Sequence, residues 1–170
     1  MITLLRSYNL KSILILKVIG MYIFYFCLTF FLVLIDFISK MLVEKYLKHR
    51  IGINIIKNVL GFRYIENTGA AFGILKNQRF FFVIITIIAF FFIGYYFFAS
   101  KKNQINKTAL VFVFAGTFGN FLDRIFRGYV IDFIDILPTD FPIFNFADVF
   151  LVSGLFALGL DFFRKEFYSK

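Results

Sequence analysis

The chain has 170 residues, of which 61% are hydrophobic and 22% aromatic, with 29 Phe, no Trp and a formal net charge of +9. A soluble domain runs at about half apolar residues, and the excess here would leave most apolar side chains facing water, so the composition excludes an ordinary soluble globule and points to lipid as solvent. One Cys (Cys27) excludes an intrachain disulfide framework and a Cys-based metal centre, and one His (His49) argues against a His-rich metal centre or a Ser-His-Asp triad, so neither a metal nor a cofactor is predicted.

In chain order, residues 18–35 form an uncharged run of 18 behind the basic Arg6, Lys11 and Lys17. The apolar part is too long for a cleaved signal peptide, and Leu34-Ile35-Asp36-Phe37 lacks small residues at the cleavage position, so this run predicts a retained helix. Residues 1–17 then read as an N-terminal cytoplasmic extension. The loop 41–78 follows, with Ile51, Ile53 and Ile55 alternating as a strand would and Ile55, Ile56, Val59 and Leu60 spaced like a helix face. Periodicity does not choose between them. Asn67-Thr68-Gly69-Ala70-Ala71-Phe72-Gly73 supplies turn residues with small side chains. Residues 80–100 are a second uncharged run, of 21, and a spanning helix needs roughly 20. Residues 108–122 and 149–160 are shorter apolar runs, which span only if their polar ends sit at the interface or face protein. Between them, segment 127–147 holds Gly128, Pro138 and Pro142, and the prolines exclude a continuous helix.

Four spans put both termini on one side. The raw basic count, nine against ten, does not orient the chain. The segments containing residues 1–17, 101–107 and 164–170 are short and densely basic, which favours cytoplasmic termini, because a long loop such as 41–78 counts for less. Basic residues beside apolar runs fit anionic headgroups, at about 1 kcal/mol each. No base-reading module accompanies them, so membrane lipids rather than nucleic acid are the expected partners.

Charged groups at a helix centre cost about 2.5–3.5 kcal/mol and mark function by default. Asn120 and Arg124 share one helix face, while Asp123 and Arg127 share the next and can form an ion pair. An arginine beside an amide can hold a substrate's phosphate or carbonyl groups. Asp132 sits in Gly128-Tyr129-Val130-Ile131-Asp132-Phe133 and Asp148 ends Phe144-Asn145-Phe146-Ala147-Asp148. Taken singly, Asp132 reads as a solvated loop acid and Asp148 as a helix cap. Alternatively the two carboxylates meet in a low-dielectric site, where one retains a proton, and the pair can activate water and protonate a scissile carbonyl. Asp36 pairs with Lys40 at i+4 as an interfacial anchor or support. The neighbours Ser39-Lys40 and Ser100-Lys101 diverge by roughly 100° on a helix and make poor nucleophile dyads. A small transporter or channel subunit using Asp123, Arg124 and Asp132 would bury its acids mid-span, and here they gather at one end. A purely structural subunit would leave the polar blocks without a purpose.

At four blocks the chain resembles the bacterial lipoprotein signal peptidases (signal peptidase II). They are Asp36-Phe37-Ile38-Ser39-Lys40; Asn67 to Gly73; Gly119-Asn120-Phe121-Leu122-Asp123-Arg124 leading into Gly128 to Phe133; and Phe144 to Asp148. The resemblance covers roughly residues 18–163. It implies an all-α membrane protein of four transmembrane helices, with outer loops 41–78 and 127–147 forming a small extracytoplasmic β-cradle and a short amphipathic helix, and a cytoplasmic tail at 164–170. It also implies an aspartyl endopeptidase of the bacterial inner membrane. Such an enzyme cuts the signal peptide from a diacylglyceryl-modified prolipoprotein just before the lipidated cysteine and is inhibited by globomycin-type compounds; a monomer is expected, although the sequence itself does not reveal the oligomeric state. By motif position Asp132 and Asp148 would be catalytic. Asn67, Gly69, Asn120, Arg124 and Asn145 would line the substrate groove, and Asp36 and Asp123 would support it. The Phe-rich, Trp-free spans depart from the family's usual composition but touch no motif residue.

Overall fold

The computed structural model describes residues 2–70, 74–100 and 104–168, with side chains described from residue 13 to residue 167 of these. It contains α1 (Ile2–Leu47), β1 (Ile53–Ile56), β2 (Leu60–Asn67), α2 (Arg79–Ala99), α3 (Gln104–Phe126), β3 (Val130–Ile136) and α4 (Phe146–Tyr168). All four helices are long and apolar enough to cross a membrane. Successive helices run in opposite directions. At one end Tyr22 packs on Phe97 with Lys107 over both rings, and at the other Lys40 of α1 meets Asn120 of α3. The sheet caps this second end.

The helices outrun the apolar stretches that announce them. α3 and α4 extend past Asp123 and Asp161 because both carboxylates are buried against basic partners, Lys40 and Arg127 for the first and Arg164 for the second. α1 is continuous from Ile2, so residues 2–17 carry helical backbone joined to the first span. The expected short amphipathic helix is not a separate element among the described residues. Residues 41–47 instead prolong α1, and their apolar side chains Val43 and Leu47 are buried against Ile131, Phe133 and Ile134 of the sheet. Ala71, Phe72 and Gly73 of the second motif block lie outside the described residues.

α3 is the central helix, packed on α4, α1 and α2. Its phenylalanines explain part of the unusual composition: Phe90 of α2 lies 5.0 Å from Phe114, 6.0 Å from Phe118 and 5.4 Å from Phe121, measured between ring centroids. Aromatic contacts of this kind add about 0.5–1.5 kcal/mol per pair beyond area burial. They matter most where lipid removes the usual hydrophobic drive for helix association.

The ambiguous stretch 51–60 resolves as a strand and turn, with Asn58 at φ 56° between β1 and β2. The sheet order is β1-β2-β3, all antiparallel. β3 comes from the second outer segment, whose run of β-branched and aromatic residues is buried on both faces. Gly128 makes this possible: at φ +85° it turns the chain out of α3, and its N–H returns to the Asp123 carbonyl at 3.2 Å. The pairing Ile65↔Asp132 and Asn67↔Val130 puts Asn67 and Asp132 on one face of the sheet.

Candidate active site

Asp148 stands in the first turn of α4, but the cap is Asn145. The Asp148 N–H donates to Asn145 Oδ1 (3.0 Å), and the Asn145 N–H donates to Asp148 Oδ2 (3.1 Å). This reciprocal pair is a capping box. A third free N–H of the same turn, that of Ala147, donates to Asp36 Oδ1 of α1 at 2.9 Å, so the start of α4 is satisfied by its own residues and by a carboxylate from another helix.

The box also joins the two candidate catalytic acids. Asn145 Nδ2 donates to Asp132 Oδ1 at 2.7 Å, and Asn67 Nδ2 donates to Asp132 Oδ2 at 2.8 Å. Asn120 Nδ2 donates to Asp148 Oδ1 at 2.7 Å, while its Oδ1 accepts from Asn145 Nδ2 at 3.1 Å. Three amides therefore clamp both carboxyls from strand β2, helix α3 and the α4 cap. Asp132 is buried on a strand, not a solvated loop acid. Burial, and next the nearby Asp148 carboxylate, push its carboxyl up to about 7, against the pull of the Asn67 and Asn145 amides.

Beneath this layer lies a buried ionic hub. Lys40, 2% exposed, reaches Asp36 Oδ2 at 2.8 Å, Asp123 Oδ2 at 2.9 Å and Asn120 Oδ1 at 3.0 Å. One ammonium with three donors meets three acceptors. Asp123 also accepts from Arg127 Nε at 3.1 Å, and Arg127 continues to Glu44 Oε2 at 2.8 Å. The anticipated Asp36–Lys40 and Asp123–Arg127 pairs both exist, yet the first is in the protein interior and not at an interface. Gly119 is required here, since a Cβ at that position would run into Asp36 Oδ2 and lie 3.2 Å from the Ala147 Cβ. Ser39 donates to the Asp36 carbonyl at 2.7 Å and Lys40 is fully engaged, so neither forms a nucleophile dyad.

Arg124 forms the rim. It donates to the Gly69 carbonyl at 3.2 Å and the Asn120 carbonyl at 3.3 Å, and lies 4.7 Å above the Phe82 ring. Gly69 is itself fixed by its N–H on Asn67 Oδ1 at 2.9 Å. A cavity of about 520 Å³ opens between these groups; Asn67, Asn120, Arg124, Asp132 and Asp148 line one wall, and Phe141, Pro142 and Val152 belong to the apolar wall. Polar chemistry is thus paired with a greasy cleft that suits an apolar or lipid-bearing chain.

All nine residues singled out from sequence fall in this one region: five in the amide–carboxyl layer, Asp36 and Asp123 below it, Gly69 and Arg124 at its mouth. Lys40 as the hub was missed, because Asp36 at i−4 accounted for it locally and Asp123 is far along the chain. The capping box had a visible signal in the spacing Asn145-x-x-Asp148. Phe82 and Glu44 had none beyond being aromatic and acidic.

The family model for Signal peptidase (SPase) II matches residues 28–164. The chain is 37% identical over 140 residues to a lipoprotein signal peptidase of Brevibacillus brevis, covering 82% of this chain and 94% of that protein. It is 38% identical over 149 residues to a lipoprotein signal peptidase of Halalkalibacterium halodurans, covering 86% and 96%. Among solved structures, a bacterial membrane enzyme determined by the in meso method at 2.3 Å superposes with a TM-score of 0.80 at 34% identity, covering 86% of this chain and 91% of that one. A second, at 1.9 Å, superposes with a TM-score of 0.74 at 35% identity. With a matching family model, relatives alike over nearly their whole length and a shared fold, this multi-pass membrane protein belongs to the signal peptidase II family.

Proposed function

We propose that this protein is an aspartyl endopeptidase that removes the signal peptide from diacylglyceryl-modified prolipoproteins by cutting before the lipidated cysteine. The observation that carries the proposal is the clamp of Asp132 and Asp148 by three shared amides at the head of a cavity with an apolar wall. Family membership weighs against the ion-path and structural-subunit alternatives.

In this mechanism Asp132 holds the proton, since its carboxyl is pushed up to about 7. Asp148, whose two oxygens already accept N–H donors, is the base. It takes a proton from a water as that water attacks the scissile carbonyl carbon, while Asp132 donates its proton to the carbonyl oxygen. In the second step the tetrahedral diol collapses. Asp132 recovers a proton from it, and Asp148 delivers the water-derived proton to the departing nitrogen, leaving a carboxylate on the signal peptide and an amine on the lipidated cysteine. Arg124, whose guanidinium has five donors of which two are committed to Gly69 and Asn120, would hold substrate carbonyls at the cavity mouth.

The proposal extends to orientation and setting: residues 1–17 and 164–170 on the cytoplasmic side of the inner membrane, residues 18–163 as the peptidase domain, and the sheet outside. The protein acts as a monomer, and the cleft is the target of globomycin-type inhibitors. Purified protein should convert a lipid-modified precursor to a product whose N-terminus, by mass spectrometry, is the lipidated cysteine, and globomycin should block the conversion. Cleavage at any other bond, or equal turnover of the unlipidated precursor, would overturn the assigned specificity.

A further inference from the structure

We infer that the β1–β2 hairpin is a membrane anchor whose isoleucine edge inserts into the headgroup–acyl boundary of an anionic leaflet on the sheet side. This does not rest on the peptidase reading.

β1 is the edge strand of the sheet, with one side unpaired among the described residues, and its residues are exposed on both faces. Ile53, Ile55 and Ile56 are 45%, 50% and 53% exposed, and Ile51, just ahead of the strand, is 99% exposed. Val59 in the turn is likewise exposed. Exposed edge strands in water are usually blunted by charge or proline, because apolar unpaired edges aggregate. Here the alternation that would bury one face is absent, so packing within the chain does not account for the isoleucines.

Two observations identify lipid as the occupant. The exposed apolar side of α1 (Phe37, Ile38, Met41, Leu42, Tyr46) continues the lipid-facing surface of a spanning helix up to the sheet end. Ile51 follows it after one short turn, so the hairpin edge prolongs a surface already in the membrane. Cations also flank the edge. Lys45, Arg50 and Lys57 have no carboxylate within ion-pair distance among the described residues, whereas Lys48 is held by Glu66 at 3.2 Å. Cations without a carboxylate partner around an apolar wedge match a leaflet rich in anionic phosphate.

The backbone sets the depth. The unpaired N–H and C=O groups on the open side of β1 need partners, which the hydrocarbon core lacks and the boundary region supplies through water and headgroup oxygens. Insertion should therefore stop about 5–10 Å into the boundary.

The absence of Trp permits a direct test. Ile51→Trp and Ile55→Trp each introduce a single indole, read in the full chain reconstituted in nanodiscs. In discs containing phosphatidylglycerol, emission should be blue-shifted, shielded from acrylamide, and quenched by lipids brominated near the top of the acyl chain more than by those brominated near its end. Discs of phosphatidylcholine alone should weaken all three effects. Because indole itself favours interfaces, Ile51→Trp is also placed with Ile53→Ser, Ile55→Ser and Ile56→Ser, which should restore acrylamide access. Water-like emission with full acrylamide access in the single variants would overturn the proposal. So would a blue shift without bromolipid quenching that grows with protein density, which would indicate a second copy of the chain, and so would unchanged bromolipid quenching in the triple-serine background.

Discussion

Replacing Lys40 by Met removes the cation that touches both Asp36 and Asp123 while keeping most of the side-chain volume. Its ion pairs are at 2.8 and 2.9 Å with all three residues buried. Breaking a buried pair from one side strands the other charge and costs about 3–5 kcal/mol. Arg127 still compensates Asp123 at 3.1 Å, so the lower half of that range applies, and Asp36 bears most of it. For a chain of this size that corresponds to a fall in Tm of roughly 6–16 °C, measured by thermal unfolding in detergent. Asn120 loses one of the two donors on its Oδ1 and keeps Asn145 Nδ2, so turnover should also fall while binding of the substrate changes less. The double variant Lys40→Met with Asp36→Asn should recover much of the stability, because it removes the stranded charge. A Lys40→Met protein with unchanged Tm and turnover, or a double variant that is additively worse, would refute the hub.

The pH profile follows from Asp132. Its carboxyl lies at about 7, above its ordinary 3.8, so turnover should decline as pH rises through about 7; an undiminished rate at pH 9 would remove Asp132 as the proton donor. Linkage has the matching sign: a raised carboxyl favours the fold most at low pH, and that contribution is lost as pH rises through 7, amounting to about 4 kcal/mol at full ionisation. That loss accrues between the two values, so Asp132→Asn should flatten the dependence of Tm on pH between about 4 and 7. Asn145→Ala deletes the cap and the amide that orients Asp132; it should cost about 1–2 kcal/mol of stability but lower turnover on the order of 100-fold through misplacement of the acid. Loss of turnover no greater than the unfolded fraction would contradict that role. Gly119→Ala should destabilise by about 1–3 kcal/mol by overpacking against Asp36 and Ala147, visible as a lower Tm in detergent.

Spans at 18–35 and 80–100 were legible because nothing charged interrupts them. α3 and α4 were harder, because their runs end at acids that stay inside the helix: Asp123 through Lys40 of α1, a partner no local rule reveals, and Asp161 through Arg164 one turn on in its own helix. Among the described residues of loop 41–78 no separate amphipathic helix stands; α1 does not stop where its hydrocarbon run stops, and Val43 and Leu47 make residues 41–47 part of the sheet's core. β3 was hidden by its burial, since a strand covered on both faces shows no alternation.

For the site, single-residue reasoning gave a loop acid and a cap, and the ordered motif blocks favoured an acid pair. The geometry explains why local rules fell short. Asp132 becomes unusual only when β3 pairs with β2 and brings Asn67 beside it, and Asp148 shares its helix start with a true cap, Asn145. Both environments are made by segments distant in sequence.

The central claim is best tested by turnover of a lipid-modified precursor by Asp132→Asn and Asp148→Asn proteins, each purified at parental abundance with its helical content intact. Both should bind precursor and release no product. Parental turnover by either variant would contradict the paired-aspartate mechanism.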